Sequence, residues 1–220
     1  MLSGTIDVPY LLIVLVVILL SMTLHEAMHG FMAYWLGDDT ARREGRLTLN
    51  PIRHIDPFLT ILLPLMLAVV GGPIFGGAKP VPFNPARVRY EEWGAALVAI
   101  AGPLTNFILA FLCFGIWVFL GQPHESFVAQ VVSIGIIVNL GFFIFNILPI
   151  PPLDGSRVLY ALAPEFVRRG MEIVEQYGLV LVFILVLFAG SMLGTYMTGA
   201  LDFFLDLFAH VFGLSSGTGV

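Results

Sequence analysis

The stretch VPYLLIVLVVILLSMTLHEAMHG, residues 8–30, decides how this chain is read. From Val8 to Leu24 it carries no charge, and His25, Glu26 and His29 then follow without a break. A run of that length and apolarity marks a membrane-crossing helix, and ionisable residues that continue such a run are costly enough to signal function. On a helix, positions four apart share a face. His25 and His29 can therefore bind one zinc ion, while Glu26 projects beside them as a base for an activated water. The run lacks the basic leader and small-residue cleavage site of a secretory signal, so it is expected to be mature structure.

Working outward, the composition agrees with a membrane setting. Hydrophobic residues make up 58% of the 220 and charged residues 11%, against about 25% charged in an ordinary soluble domain. The mean hydropathy is +0.95. The fold class expected is an all-α polytopic membrane protein, a helical bundle. A net charge of −5 with no basic strip excludes a nucleic-acid partner. The single Cys113 excludes an intramolecular disulfide and a cysteine-based zinc site, and reads as a small core residue.

Apolar helical segments are expected at Val8–Leu36, Phe58–Val70, Trp93–Leu120, Phe127–Leu148 and Tyr177–Ala200. Four are long enough to span. Phe58–Val70 is short and interrupted by Pro64, so it is expected to be re-entrant or packed on the bundle. Arg46–Asn50 alternates like a short strand, and Gly71-Gly72-Pro73 through Val81-Pro82-Phe83-Asn84-Pro85 has the punctuation of a membrane-associated β-hairpin. Residues 1–220 are expected to form one domain, with a core at 8–157 and additional transmembrane or interfacial helices at 175–214.

All ten Lys and Arg residues fall in three stretches, Arg42–Arg53, Lys79–Arg89 and Arg157–Arg169. If the short segment does not cross, all three emerge on one side, which the positive-inside rule makes the cytoplasm. The expected location is the cell membrane of a prokaryote with the histidines toward the cytoplasmic side, and the loop Gly121–Ser126 outside.

A catalytic zinc needs a third protein ligand. Met32 and Trp35 occupy the positions that an extended HExxHxxGxxH motif would give to glycine and histidine. The candidates on the same side are Glu44, His54, Asp56 and Asp154. Asp154 stands out because Pro149, Pro151 and Pro152 break the preceding helix and Gly155 permits tight backbone geometry beside it. His54 and Asp56 read better as residues that cap or orient the chain entering the short segment. Gly102 and Asn106 read as close helix packing, and Asn139 as interhelical glue. Asp202, Asp206 and His210 form a stripe at i, i+4 and i+8, read as the polar face of an interfacial helix rather than as a metal site.

HExxH on a first core helix, Gly102-Pro103-Leu104-Thr105-Asn106 on a second, the Gly76–Pro82 segment and Asn146 followed by Pro149 and Leu153-Asp154-Gly155 together resemble the site-2 protease family of intramembrane zinc metalloproteases. The resemblance covers Leu11 to Arg157 and corresponds to a compact form without PDZ-like or CBS-like domains. It implies one Zn²⁺ per chain held by His25, His29 and Asp154, with Glu26 catalytic and Asn146 stabilising the transition state or substrate. One departure is local: Phe58-Leu59-Thr60 follows Asp56-Pro57 where relatives commonly have Gly-Thr. The activity expected is hydrolysis of peptide bonds in or near transmembrane segments of membrane-protein substrates, as in regulated intramembrane proteolysis. The alternative is a non-proteolytic membrane protein that binds or transports metal, which would not need Glu26 as a base. An extended substrate is expected to add as a strand to the hairpin or to Leu47–Leu49.

Overall fold

The computed structural model describes residues 8–62, 77–121 and 126–214. In chain order its helices are α1 (Val8–Trp35), α2 (Thr40–Arg43), α3 (Glu91–Phe119), α4 (Phe127–Asn146), α5 (Gly155–Leu162), α6 (Glu165–Gln176), α7 (Gly178–Phe188) and α8 (Gly190–Val211). Short 3₁₀ turns at Pro51–His54 and Pro85–Arg87 and a π-helical turn at Pro57–Leu62 join them.

Among the described residues, α1, α3 and α4 are long and apolar enough to cross a membrane. The 28 residues of α1 extend about 42 Å at 1.5 Å per residue, more than the roughly 30 Å of a hydrocarbon core. The ends follow local chemistry. Glu91 and Glu92 open α3, where negative charge complements the helix dipole. Ser126 caps α4 by accepting the Ala129 N–H at 3.0 Å. α4 stops at Asn146, just before the proline-rich loop.

A cluster of aromatic and aliphatic side chains ties α3, α4 and α8 together: Phe114, Trp117, Ile136, Leu140, Ile144 and Phe208 are each at most 1% exposed. Phe107, Phe111 and Phe212 pack around it edge to face or tilted. α1 lies against α3 through small residues, Ala27 and Ala33 being fully buried. Large apolar residues on the outer faces of the spans, among them Leu15, Leu112 and Ile116, are left open, as lipid contact requires.

Three expectations change. First, the membrane-associated β-hairpin is not supported: no strand occurs among the described residues, and 71–76, its first arm, lies outside them. Several backbone groups of the second arm are paired elsewhere. The Lys79 N–H donates to the His54 carbonyl, the Val81 N–H to Glu26 and the Asn84 N–H to Asp38. The Lys79 and Pro80 carbonyls accept from Arg46. Pro80, Pro82 and Pro85 have no N–H to offer a partner strand. Second, Arg46–Asn50 is no strand, because the Leu47 and Thr48 N–H groups are taken by the Ala41 and Arg46 carbonyls. These pairings occupy part of the edge on which strand addition was expected. Third, Tyr177–Ala200 is not one span. It breaks at Ala189–Gly190 into α7, only 11 residues long, and α8. The short segment Phe58–Val70 begins as the turn Pro57–Leu62, and its remainder lies outside the described residues.

Candidate metal centre

The helical register of α1 puts His25 and His29 on one side, one turn apart. The loop after α4 brings Asp154 to them from far along the chain. His25 Nε2 lies 3.0 Å from His29 Nε2 and 3.2 Å from Asp154 Oδ2, and His29 Nε2 lies 3.5 Å from Asp154 Oδ1. A tetrahedral ion with bonds of about 2.0–2.1 Å places its ligand atoms roughly 3.3 Å apart, so the spacing fits zinc.

The remaining ring nitrogens explain why both Nε2 atoms face inward. His29 Nδ1 meets the Val98 carbonyl at 2.8 Å. A carbonyl only accepts, so Nδ1 carries the proton and, in the neutral ring, Nε2 carries the lone pair. His25 is fixed by a longer chain. Its Nδ1 donates to Asn106 Oδ1 at 2.6 Å, the Asn106 amide NH₂ donates to Asn139 Oδ1 at 2.8 Å, and the Asn139 NH₂ donates to the Gly135 carbonyl at 2.8 Å. The terminal carbonyl sets the direction of every link, because Asn139 must present NH₂ to it and its oxygen to Asn106. His25 Nδ1 is thereby protonated and Nε2 left as an acceptor. Two neutral lone-pair nitrogens 3.0 Å apart repel unless a cation lies between them, and the donor set of two imidazoles and a carboxylate suits zinc.

Two glycines make room. A Cβ on Gly102 would stand 2.4 Å from His29 Nε2 and 2.7 Å from His25 Nε2, so the bare backbone of α3 forms one wall of the centre. A Cβ on Gly155 would stand 2.1 Å from the Ile147 carbonyl oxygen, so only glycine lets the first turn of α5 press against the end of α4 and present Asp154. The His25 and His29 side chains are 10% and 12% exposed and Asp154 is 22% exposed, which leaves the carboxylate side the more open.

Glu26 adjoins His25 on α1, and its Oε2 accepts the Val81 N–H at 2.9 Å. On the same stripe of α1, Leu15, Ile18, Leu19 and Met22 line an open-sided cavity of about 220 Å³ bordered by His54, Thr60 and Ala78. Met22, at one end of this lining, is one helical turn from Glu26 on α1.

The other sequence candidates lie apart from the cluster. Asn146 donates to the Phe142 carbonyl on its own helix at 2.9 Å. His54 is buried and its Nε2 donates to the Thr48 carbonyl. Asp56 accepts the Phe58 N–H at 2.9 Å, a capping contact. Glu44 is exposed after α2, and Asp202, Asp206 and His210 are exposed on α8. Asn106, Asn139 and Gly102 pack as the sequence suggests, Asn139 bridging α4 to α3 through Asn106 and Gly102 allowing α3 close to α1, and they also adjoin or orient His25 and His29. The signal that could have found this second role is an amide at Asn106, one turn after Gly102, on a helix facing HExxH.

The profile of peptidase family M50 matches residues 13–130 and 121–190. Among curated proteins, the chain is 43% identical over 216 residues to "Putative zinc metalloprotease YwhC" of Bacillus subtilis (strain 168), covering 93% of each chain. It is 33% identical over 172 residues to "Putative zinc metalloprotease Rip2" of Mycolicibacterium smegmatis, covering 77% of this chain and 64% of that one. With "Putative zinc metalloprotease MJ0611" of Methanocaldococcus jannaschii it shares 37% identity over 99 residues, 45% of this chain and 50% of the other. No solved structure matches the chain.

Proposed function

The chain belongs to peptidase family M50 and is an intramembrane zinc metalloprotease; from that premise we propose that His25, His29 and Asp154 hold the zinc and that Glu26 is its general base and acid. The observation that carries the assignment is the convergence of three side chains, with donor atoms 3.0–3.5 Å apart, one of them from His25, the neighbour of Glu26 in sequence. Zinc supplies Lewis acidity toward water and the scissile carbonyl. Glu26, with Oε2 held by Val81, takes the proton of the attacking water at Oε1 and returns it to the leaving amine. Asn106 and the Val98 carbonyl hold the imidazoles in register while this happens. Asn146 would serve the developing oxyanion only after releasing Phe142, a role that rests on the family motif.

The substrates are transmembrane segments of other proteins, cut in or near the bilayer. An intact helix hides its carbonyls in i to i−4 bonds, so the segment must unwind before it is cut. An unwound stretch would approach along the apolar side chains Leu15, Ile18, Leu19 and Met22, which line a cavity ending one turn of α1 from Glu26. Two of the three basic stretches meet beyond the C-terminal end of α1, where Arg46 binds the Lys79 carbonyl and Arg87 pairs with Asp39. By the positive-inside rule this end faces the cytoplasm of a prokaryotic cell membrane. The cuts then release cytoplasmic fragments, as in regulated intramembrane proteolysis. The metal-transport alternative is not favoured, since the relatives named above are described as metalloproteases.

Two readouts test the assignment together: zinc content of the purified chain, and cleavage of a transmembrane peptide in vesicles. Glu26→Gln is expected to keep zinc and lose cleavage, and Asp154→Ala to lose both. His54→Ala and Asp56→Ala are expected to keep zinc. Full zinc in Asp154→Ala with zinc lost in Asp56→Ala would move the third ligand to Asp56.

A further inference from the structure

α6 (Glu165–Gln176) is the most sharply two-faced helix of the chain, and none of its residues is buried. At 100° per residue its positions fall into three sectors. Val167, Arg168, Met171 and Glu175 are half-buried and form the protein-contacting side. Phe166, Ile173 and Val174 form an apolar side and are 76%, 59% and 38% exposed. Glu165, Arg169 and Gln176 form a polar side, also exposed.

A soluble protein buries the apolar face of such a helix against its core. Here the protein touches the boundary between the faces and leaves the apolar and polar thirds open on either side of it. Water alone is wrong for one third and hydrocarbon alone for the other. The environment that suits both is the plane where they meet, and α1, α3 and α4 place the chain in a bilayer. We propose that α6 is an in-plane anchor, lying at the lipid–water interface with Phe166, Ile173 and Val174 against the acyl chains. Leu162 and Tyr177, 65% and 63% exposed, extend the same apolar surface beyond both ends. The inference rests on the chain spanning a membrane and is independent of its catalytic chemistry.

The anchor is coupled to the metal centre through α5. Arg168 donates from Nε to the Tyr160 and Ala163 carbonyls at 3.0 and 2.9 Å and from Nη2 to the Ala161 carbonyl at 3.1 Å, closing the C-terminal end of α5. Tyr160 donates to Glu172 at 2.6 Å, and Arg157 pairs with Glu175. Asp154 sits at the other end of this two-turn helix. The depth at which α6 settles in the lipid thus sets the position of the third zinc ligand.

The test uses the full chain reconstituted in phosphatidylcholine vesicles, with tryptophan placed singly at four positions and the quenching of the parent protein subtracted. Phe166→Trp and Ile173→Trp are expected to be quenched at least twofold more than Arg169→Trp and Gln176→Trp by lipids brominated near the headgroup. Aqueous iodide is expected to reverse the order. Equal access of all four to iodide overturns the anchor. So does protection of Phe166→Trp and Ile173→Trp from both quenchers, which would mean that a second copy or another protein covers the face. The coupling is read by Ile173→Asp. Its zinc half-life under chelator challenge in vesicles is expected to shorten about tenfold at unchanged helix content, and an unchanged half-life removes the link to Asp154.

Discussion

The backbone N–H of Val81 holds the carboxylate of Glu26 at 2.9 Å across 55 positions of sequence. A backbone group of a distant segment therefore aims the proposed general base without contributing any side-chain chemistry. Val81→Pro removes the N–H while leaving an apolar residue, and Val81→Ala keeps the N–H while shortening the side chain. The proline variant is expected to retain zinc and lose about tenfold in kcat, a loss in proportion to one hydrogen bond to a charged group. Val81→Ala is expected to stay within about threefold of the parent enzyme. Equal kcat in the two variants would show that the contact does not orient Glu26.

Gly102→Ala sets two effects against each other. Alanine favours the helix by about 1 kcal/mol, but its methyl group would stand 2.4 Å from His29 Nε2. The variant is expected to unfold no more readily than the parent and to bind zinc at least about a hundredfold more weakly. Retained stoichiometric zinc, read by metal analysis after dialysis, would mean that α3 can withdraw from the histidines.

Asn139 never reaches a ligand, yet its amide fixes which way Asn106 faces His25. Asn139→Leu leaves the Asn106 NH₂ buried without an acceptor and frees that amide to turn. Partners of this kind are worth about 10–100-fold in metal affinity. Asn139→Leu is expected at the low end of that range and Asn106→Leu at the high end, measured by competition with a chromogenic chelator. Parent-like affinity in both would remove the polar chain from the account of the metal centre.

Asp38 joins the end of α1 to the segment that carries Val81. Burial alone would raise its pKa, but the Thr40 hydroxyl, the Asn84 and Thr40 N–H groups and nearby Arg87 outweigh this and hold it below the ordinary 3.8. A carboxyl depressed in the folded chain stabilises it above the unfolded value, and the contribution is lost as pH falls through the folded one. The parent protein is expected to lose this increment below about pH 4. Asp38→Asn should be less stable by about 1–2 kcal/mol at pH 6, with a shallower decline in acid. Parallel declines of the two proteins in denaturant titrations at pH 3.5 and 6 would assign the acid sensitivity elsewhere.

What the sequence made legible follows from how far each feature depends on its neighbours. His25, Glu26 and His29 are near in sequence and on one helix, so their spacing determines their geometry. Asp154 showed itself through the prolines before it and the glycine after it. Asn106 and Asn139 did not, because their roles depend on how α3 and α4 are rotated toward α1, which a single amphipathic pattern cannot give when nearly every position is apolar. The hairpin reading is unsupported for a related reason. Gly and Pro mark where a chain turns, whereas pairing depends on free backbone groups, and here Glu26, Asp38, Arg46 and His54 had already taken several of them. Glycine in an apolar run is equally ambiguous, and at Gly190 it accompanies a break between helices.

The ligand set proposed here also bears on when the protein becomes dangerous to its own cell. His25 and His29 leave the ribosome before Asp154, which follows only after α4 has been made. A nascent chain held at the insertion machinery has two imidazoles and no carboxylate to complete the centre. Proteolytic competence is thus delayed until the loop beyond α4 has folded back onto α1. A half-inserted chain, surrounded by other unfolded membrane segments, would be unable to cut them.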